Sequence, residues 1–141
     1  MDMKQIVQNK RLRRCAVACA LLAAALLACG PFLSGGVWHG SDLGYHLRRI
    51  ENIAMGLADG RFPVRIQSDW LLGNGYAVGV FYGDILLYFP AALRLLGVPV
   101  TVAYDFYLFA VTLFTAAAAY YAVPRLAWPR MSALAAAVLY T

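Results

Sequence analysis

The chain is 141 residues long, 62% hydrophobic and 13% charged, with a net charge of +5 and a mean hydropathy of +0.65. A soluble domain is nearer half apolar and about a quarter charged, so this chain has too little polar surface to cover itself. A soluble enzyme, a nucleic-acid binder and a disordered tail are excluded, and an all-α integral protein of the cell membrane is expected.

The first 14 residues form a basic leader in which Lys4, Lys10, Arg11, Arg13 and Arg14 are opposed by Asp2 alone. By the positive-inside rule such a leader puts the N-terminus in the cytoplasm. The basic balance therefore reads as topology and contact with anionic membrane lipid, with no nucleic-acid partner. Residues 15–33 are the first span, within a stretch, Cys15–Ser41, that carries no Asp, Glu, Lys or Arg. That run exceeds the ~20 apolar residues a helix needs to cross a bilayer. Cys15 and Cys19 fall one helical turn apart, which does not suit a disulfide, and no zinc-ligand spacing involves Cys29. Leu26-Leu27-Ala28-Cys29-Gly30 also reads as a lipoprotein cleavage signal, an alternative opposed by the further apolar runs that follow.

Residues 34–77 form an extracytoplasmic loop. Within it Leu43, Leu47, Ile50, Ala54 and Leu57 recur at helical spacing, with Ser41 as a cap and Gly60 as a stop. The pattern predicts an amphipathic helix lying on the membrane surface. Arg61-Phe62-Pro63-Val64 is extended and Gly73-Asn74-Gly75 is a turn. A second span is expected over 78–96, interrupted by Asp84, Pro90 and Arg94, then a turn at Gly97-Val98-Pro99 and a third span over 102–123. Arg94 and Asp105 fall at similar depth on either side of that turn, which predicts an ion pair between them. With three spans Arg125 and Arg130 fall outside, against the positive-inside rule. Residues 131–141 open a fourth span too short to cross, so the chain reads as an N-terminal fragment.

The stretch from Trp38 to Arg49 carries the chemistry. Asp42, His46 and Arg49 share one helix face, and an Asp and a His one turn apart can ligate a divalent cation or act as base and orienting partner. Spacing alone is equally served by a helix-start acid favoured by the macrodipole. Arg48, Arg49 and Arg65 can hold a lipid phosphate, or else pair with Glu51, Asp59 and Asp69. Trp38, Trp70, Tyr76, Phe81 and Tyr82 can stack on sugar faces, or else form the usual interfacial belt.

Asp42…His46-Leu47, Gly60-Arg61-Phe62-Pro63-Val64-Arg65, Gly73-Asn74-Gly75-Tyr76, Phe81-Tyr82 and Leu96-Gly97 together resemble the N-terminal part of bacterial polytopic membrane proteins of the GT-C glycosyltransferase type. The nearest likeness is to the family labelled "6-pyruvoyl-tetrahydropterin synthase-related membrane protein". The resemblance implies a polyprenyl-phosphate sugar donor used on the extracytoplasmic side. It implies that Asp42, with His46 beside it, is catalytic, acting on the acceptor as base or through a divalent metal such as Mg or Mn. Asp69 resembles a second loop acid, and Arg48, Arg49, Trp70 and Tyr82 would contact substrate. His46 stands where the related oligosaccharyltransferase pattern has Asn, and Asp84 where a Pro or small residue is usual. The alternative is a transporter or assembly subunit that uses Asp84, Arg94 and Asp105 within its spans.

Overall fold

A computed structural model describes residues 3–33, 42–126 and 130–139. The described residues are helical, without a strand and with one isolated bridge, Gln67–Tyr76. The helices are α1 (Met3–Leu33), α2 (Leu43–Ala58), α3 (Val78–Phe81), α4 (Tyr88–Leu95), α5 (Val100–Ala122) and α6 (Arg130–Leu139). Short 3-10 turns, Ile85–Leu87 and Val123–Leu126, precede α4 and follow α5. The chain divides into two compact units, one containing α1, α6 and α5 from residue 108 onward, the other ending at Tyr107 and containing α2, α3 and α4.

Two helical stretches are long and apolar enough to cross a membrane, Arg11–Pro31 in α1 and Val100–Arg125 through α5 and the turn after it. They lie on the first and third of the expected spans. In their unit, Leu21 of α1, Ala116 of α5 and Ala137 of α6 form a buried cluster, with Val17, Leu113 and Leu134 against it. Alanine at two of the three buried positions lets the helices approach closely, as small residues do where helices meet in lipid.

The segment 78–96, expected as one span, is not one helix. After α3 ends at Phe81, Tyr82 is extended (φ −118°, ψ 134°), and helix resumes only from Ile85. The stretch Ile85–Leu95 is short, and at 1.5 Å per residue it falls well below the ~30 Å of a hydrocarbon core. Its apolar residues serve another purpose: Leu87 and Ala91 pack with Ile50, Ile53 and Ala54 of α2. Leu57 of α2 and Val100, Tyr104 and Tyr107 at the start of α5 close around them.

The amphipathic helix is present as α2, and Ile50, Ile53 and Ala54 of its apolar face pack on Leu87 and Ala91. Gly60 ends it as expected. Its φ of +75° is a conformation glycine adopts without steric cost, and the amides of Asp59, Gly60 and Arg61 close back on Met55, Leu57 and Gly56. Asp42, not Ser41, is the first described residue before the helix, and its side chain makes no capping hydrogen bond. Ser41 and Trp38 lie outside the described residues. The Gly73-Asn74-Gly75 turn forms as read, with the amides of Gly73 and Gly75 both donating to the Trp70 carbonyl.

The expected ion pair between Arg94 and Asp105 does not form. Arg94 Nε donates to Glu51 Oε1 and Oε2 at 3.1 and 2.8 Å. Docking of α4 on α2 brings Arg94 beside Glu51, a geometry set by tertiary packing that depth from a turn cannot anticipate.

Candidate functional site

The face of α2 next to its buried stripe carries most of the residues singled out from sequence. Asp42 stands exposed at the helix start, and its carbonyl accepts from the His46 amide at 3.0 Å. No side-chain hydrogen bond joins Asp42 to His46 among the described residues. The His46 ring is half-buried, stacked on Tyr104 (6.4 Å between centroids, 11° between planes) and edge-on to Tyr45 at 5.5 Å.

Further along α2, Arg48 and Arg49 point to different surroundings. Arg48 is exposed and lays its guanidinium over Trp70, 5.4 Å from the ring centroid. This is a cation–π distance. Arg49 is buried, and its Nε donates to Asp84 Oδ1 at 3.1 Å. Its second nitrogen, Nη2, donates to the same oxygen and, at 3.3 Å, to the Gly83 carbonyl. The rings of Tyr45 and Tyr82 lie 5.4 and 5.7 Å from the Arg49 guanidinium. Arg49 is thus directed into the protein, and of the two arginines Arg48 is the one displayed.

Trp70 ties the cluster together, edge-on to Tyr45 at 5.5 Å and tilted against Tyr76 at 5.5 Å. Tyr82 completes it 6.2 Å from Tyr45. Asp69 is exposed and borders an open groove of about 570 Å³ with Arg48, Asn52, and the Glu51–Arg94 pair. Arg48, Trp70 and Tyr82 are therefore brought into one cation–aromatic surface, with Arg49 buried behind it and Asp69 on the groove that adjoins it. Asp42 is held apart from them at the end of the helix.

Several residues that matter here escaped the sequence reading. Tyr45 is the hub of the ring cluster, and burial pushes its phenol above the ordinary value while nearby Arg49 opposes the shift. Asp84 was read as an interruption in a span and is the buried partner of Arg49. The signal was available, since an acid in an apolar run calls for a cationic partner. The partner lies 35 residues away, and nothing local names it. Gln67, fully buried and itself bridged to Tyr76, had no signal at all.

No group of three or more His, Cys, Asp or Glu that could hold a metal ion occurs among the described residues. Asp42 and His46 offer two donors.

Fold and site together define a helical protein with two helices of membrane-crossing length, carrying between them in sequence a folded segment with a cation–aromatic face. The chain is similar to an uncharacterized protein of Lactococcus lactis subsp. cremoris (strain MG1363), 30% identical over 74 residues. The similarity covers 52% of this chain and 12% of that protein, so the chain spans a small part of its relative's length. No family model matches the chain, and no solved structure matches it.

Proposed function

We propose that the chain is the N-terminal part of a membrane-embedded glycosyltransferase of the GT-C type, taking its sugar from a polyprenyl-phosphate donor on the extracytoplasmic side. The observation that supports this best is the arrangement on α2. An exposed carboxylate, Asp42, starts a helix that is braced on protein and displays Arg48 against Trp70 farther along. The carboxylate acts on the acceptor, directly or through Mg or Mn held with His46. Arg48 offers charge to a lipid phosphate, and the exposed Tyr82 with Trp70 offers ring faces to a sugar.

The topology in this reading has two crossings. Arg13 and Arg14, near the start of α1, line one cleft with Pro124 and Arg125, just after α5, so the two helices run in opposite directions. Arg125 then lies on the cytoplasmic side with the leader, in keeping with the positive-inside rule. The residues between the crossings lie outside. The alternative of a transporter or assembly subunit is less well supported, because of its three charged residues only Asp105 lies in a long apolar helix, while Asp84 and Arg94 are engaged by α2 outside both.

The test is turnover of lipid-linked sugar by the full-length protein in proteoliposomes. Transfer by the wild type and none by Asp42→Asn is the expected result. Wild-type turnover by correctly inserted Asp42→Asn protein would falsify the assignment.

A further inference from the structure

We infer that the cleft between the first turns of the apolar stretch of α1 and the end of α5 binds the anionic headgroup of a two-chain phospholipid. The cleft encloses about 730 Å³, within the range of roughly 300–1,000 Å³ usual for small-molecule sites. Its rim carries Arg13 and Arg14 from α1 and Arg125 from the turn after α5, with no acidic residue in the lining among the described residues. None of the ion pairs among the described residues uses any of these three arginines. Below the rim the walls are apolar, with Val17 and Leu113 among them, and Tyr120 beside them.

That gradient, from guanidinium to hydrocarbon along two membrane-length helices, is the polarity profile of a phospholipid. Three forked donors fit the several oxygens of a phosphate, while the apolar walls receive the upper acyl chain. Basic pockets between helices at the cytoplasmic surface are suited to anionic headgroups, since that leaflet carries the negative surface potential. A second copy of the chain would bring three more arginines to the same place and be repelled. Free phosphate would leave the apolar walls unfilled.

The inference rests on the membrane reading and not on the transfer reaction. The experiment uses the purified full chain in neutral detergent. Phosphatidylglycerol, phosphatidylcholine, a polyprenyl phosphate and inorganic phosphate are titrated separately, and bound species are counted by native mass spectrometry. Phosphatidylglycerol should be retained at concentrations at least about tenfold below phosphatidylcholine, because its headgroup carries the net negative charge that the arginines attract. The triple variant Arg13→Gln, Arg14→Gln, Arg125→Gln should abolish that preference. The equally charged triple Lys4→Gln, Lys10→Gln, Arg11→Gln should keep it.

Equal retention of the two phospholipids by the wild type overturns the proposal, as does equal loss in both triples, which would assign the effect to the leader as a whole. Displacement of phosphatidylglycerol by polyprenyl phosphate or inorganic phosphate at lower concentration overturns the choice of ligand. Should the triple variant not fold, Arg125→Gln alone decides, because an unchanged preference there removes the arginine that closes the cleft. A wild-type chain that stays in the aqueous phase of a detergent partition overturns the membrane reading itself.

Discussion

Arg94 of α4 reaches Glu51 of α2 through its Nε, 2.8 and 3.1 Å from the two carboxylate oxygens, and leaves Asp105 without it. Both side chains of the pair are 36% exposed, so solvent and salt screen the attraction and its contribution to stability is small. A double-mutant cycle of Glu51→Gln and Arg94→Gln should show a weak coupling that fades as salt is added. The cycle of Arg94→Gln with Asp105→Asn should be additive. Coupling in the second cycle and not the first would reverse the partners.

The pair formed by Arg49 and Asp84 is different because both side chains are buried. Removing one partner leaves an uncompensated charge in the interior, which costs about 3–5 kcal/mol. Asp84→Leu should therefore lower the stability of the chain in detergent by that order, measured by denaturant titration. Adding Arg49→Met should restore most of the loss, since two apolar side chains can replace a buried pair at little cost. A single variant as stable as the wild type would show that the pair is dispensable.

Glycine substitutions separate close approach from open space. A methyl group at Gly79 would stand 2.6 Å from Asp84 Oδ2, 2.8 Å from the Val64 carbonyl oxygen and 3.0 Å from the Arg65 Cα. Two of these contacts are backbone, so Gly79→Ala should destabilise by about 1–3 kcal/mol. Gly44, exposed in α2, has nothing within 4 Å of such a methyl. Gly44→Ala should stabilise by roughly 0.5–1 kcal/mol through helix propensity. Similar effects at the two positions, read from thermal melts, would contradict this geometry.

Local signals carried the reading of the helices but not of the site's interior. The periodicity of Leu47, Ile50, Ala54 and Leu57, with Gly60 behind them, located α2 to within a residue or so of its observed ends. Uninterrupted apolar runs located α1 and α5 for the same reason: helix-forming signals act within a few turns. The segment 78–96 was misread because hydropathy cannot distinguish a face buried against α2 from one facing lipid. Arg48, Trp70 and Tyr82 were recognisable as residue types that bind. Their meeting around Tyr45 depends on the Trp70–Gly75 turn folding back over α2, which no short window contains.

Asp42 and His46 should separate in function. Asp42→Asn keeps the volume and removes the charge, so insertion should be normal while the transfer proposed for the full-length protein falls below detection. His46→Ala removes the stack on Tyr104 as well as a possible ligand. Partial rescue of its activity by excess Mn, absent for His46→Phe, would identify His46 as a ligand. Activity recovered by His46→Phe without added metal would identify a packing role.

Tyr45 predicts an alkaline effect. Its phenol titrates above the ordinary value of about 10 because burial disfavours the phenolate. A folded-state value above the unfolded one means the contribution is complete below about pH 10 and is lost as pH rises through the folded value. Tyr45→Phe should leave stability at neutral pH nearly unchanged, since the hydroxyl has no hydrogen-bond partner in the protein. It should also flatten the loss above pH 10. Parallel alkaline unfolding curves for the two proteins would place the sensitive group elsewhere.

The close approach at Gly79 also bears on how related chains can be recognised. The backbone of Val64 and Arg65 bars a side chain at position 79 whether or not the Arg49–Asp84 lock is kept. Gly79 should therefore persist across descendants of a common ancestor, including those that exchange Arg49 and Asp84 as a pair. Asp42, by contrast, is exposed and makes no side-chain capping hydrogen bond, so its exchange should disturb the architecture less. Kinship in this lineage is thus better traced through an inherited steric constraint than through the exposed carboxylate.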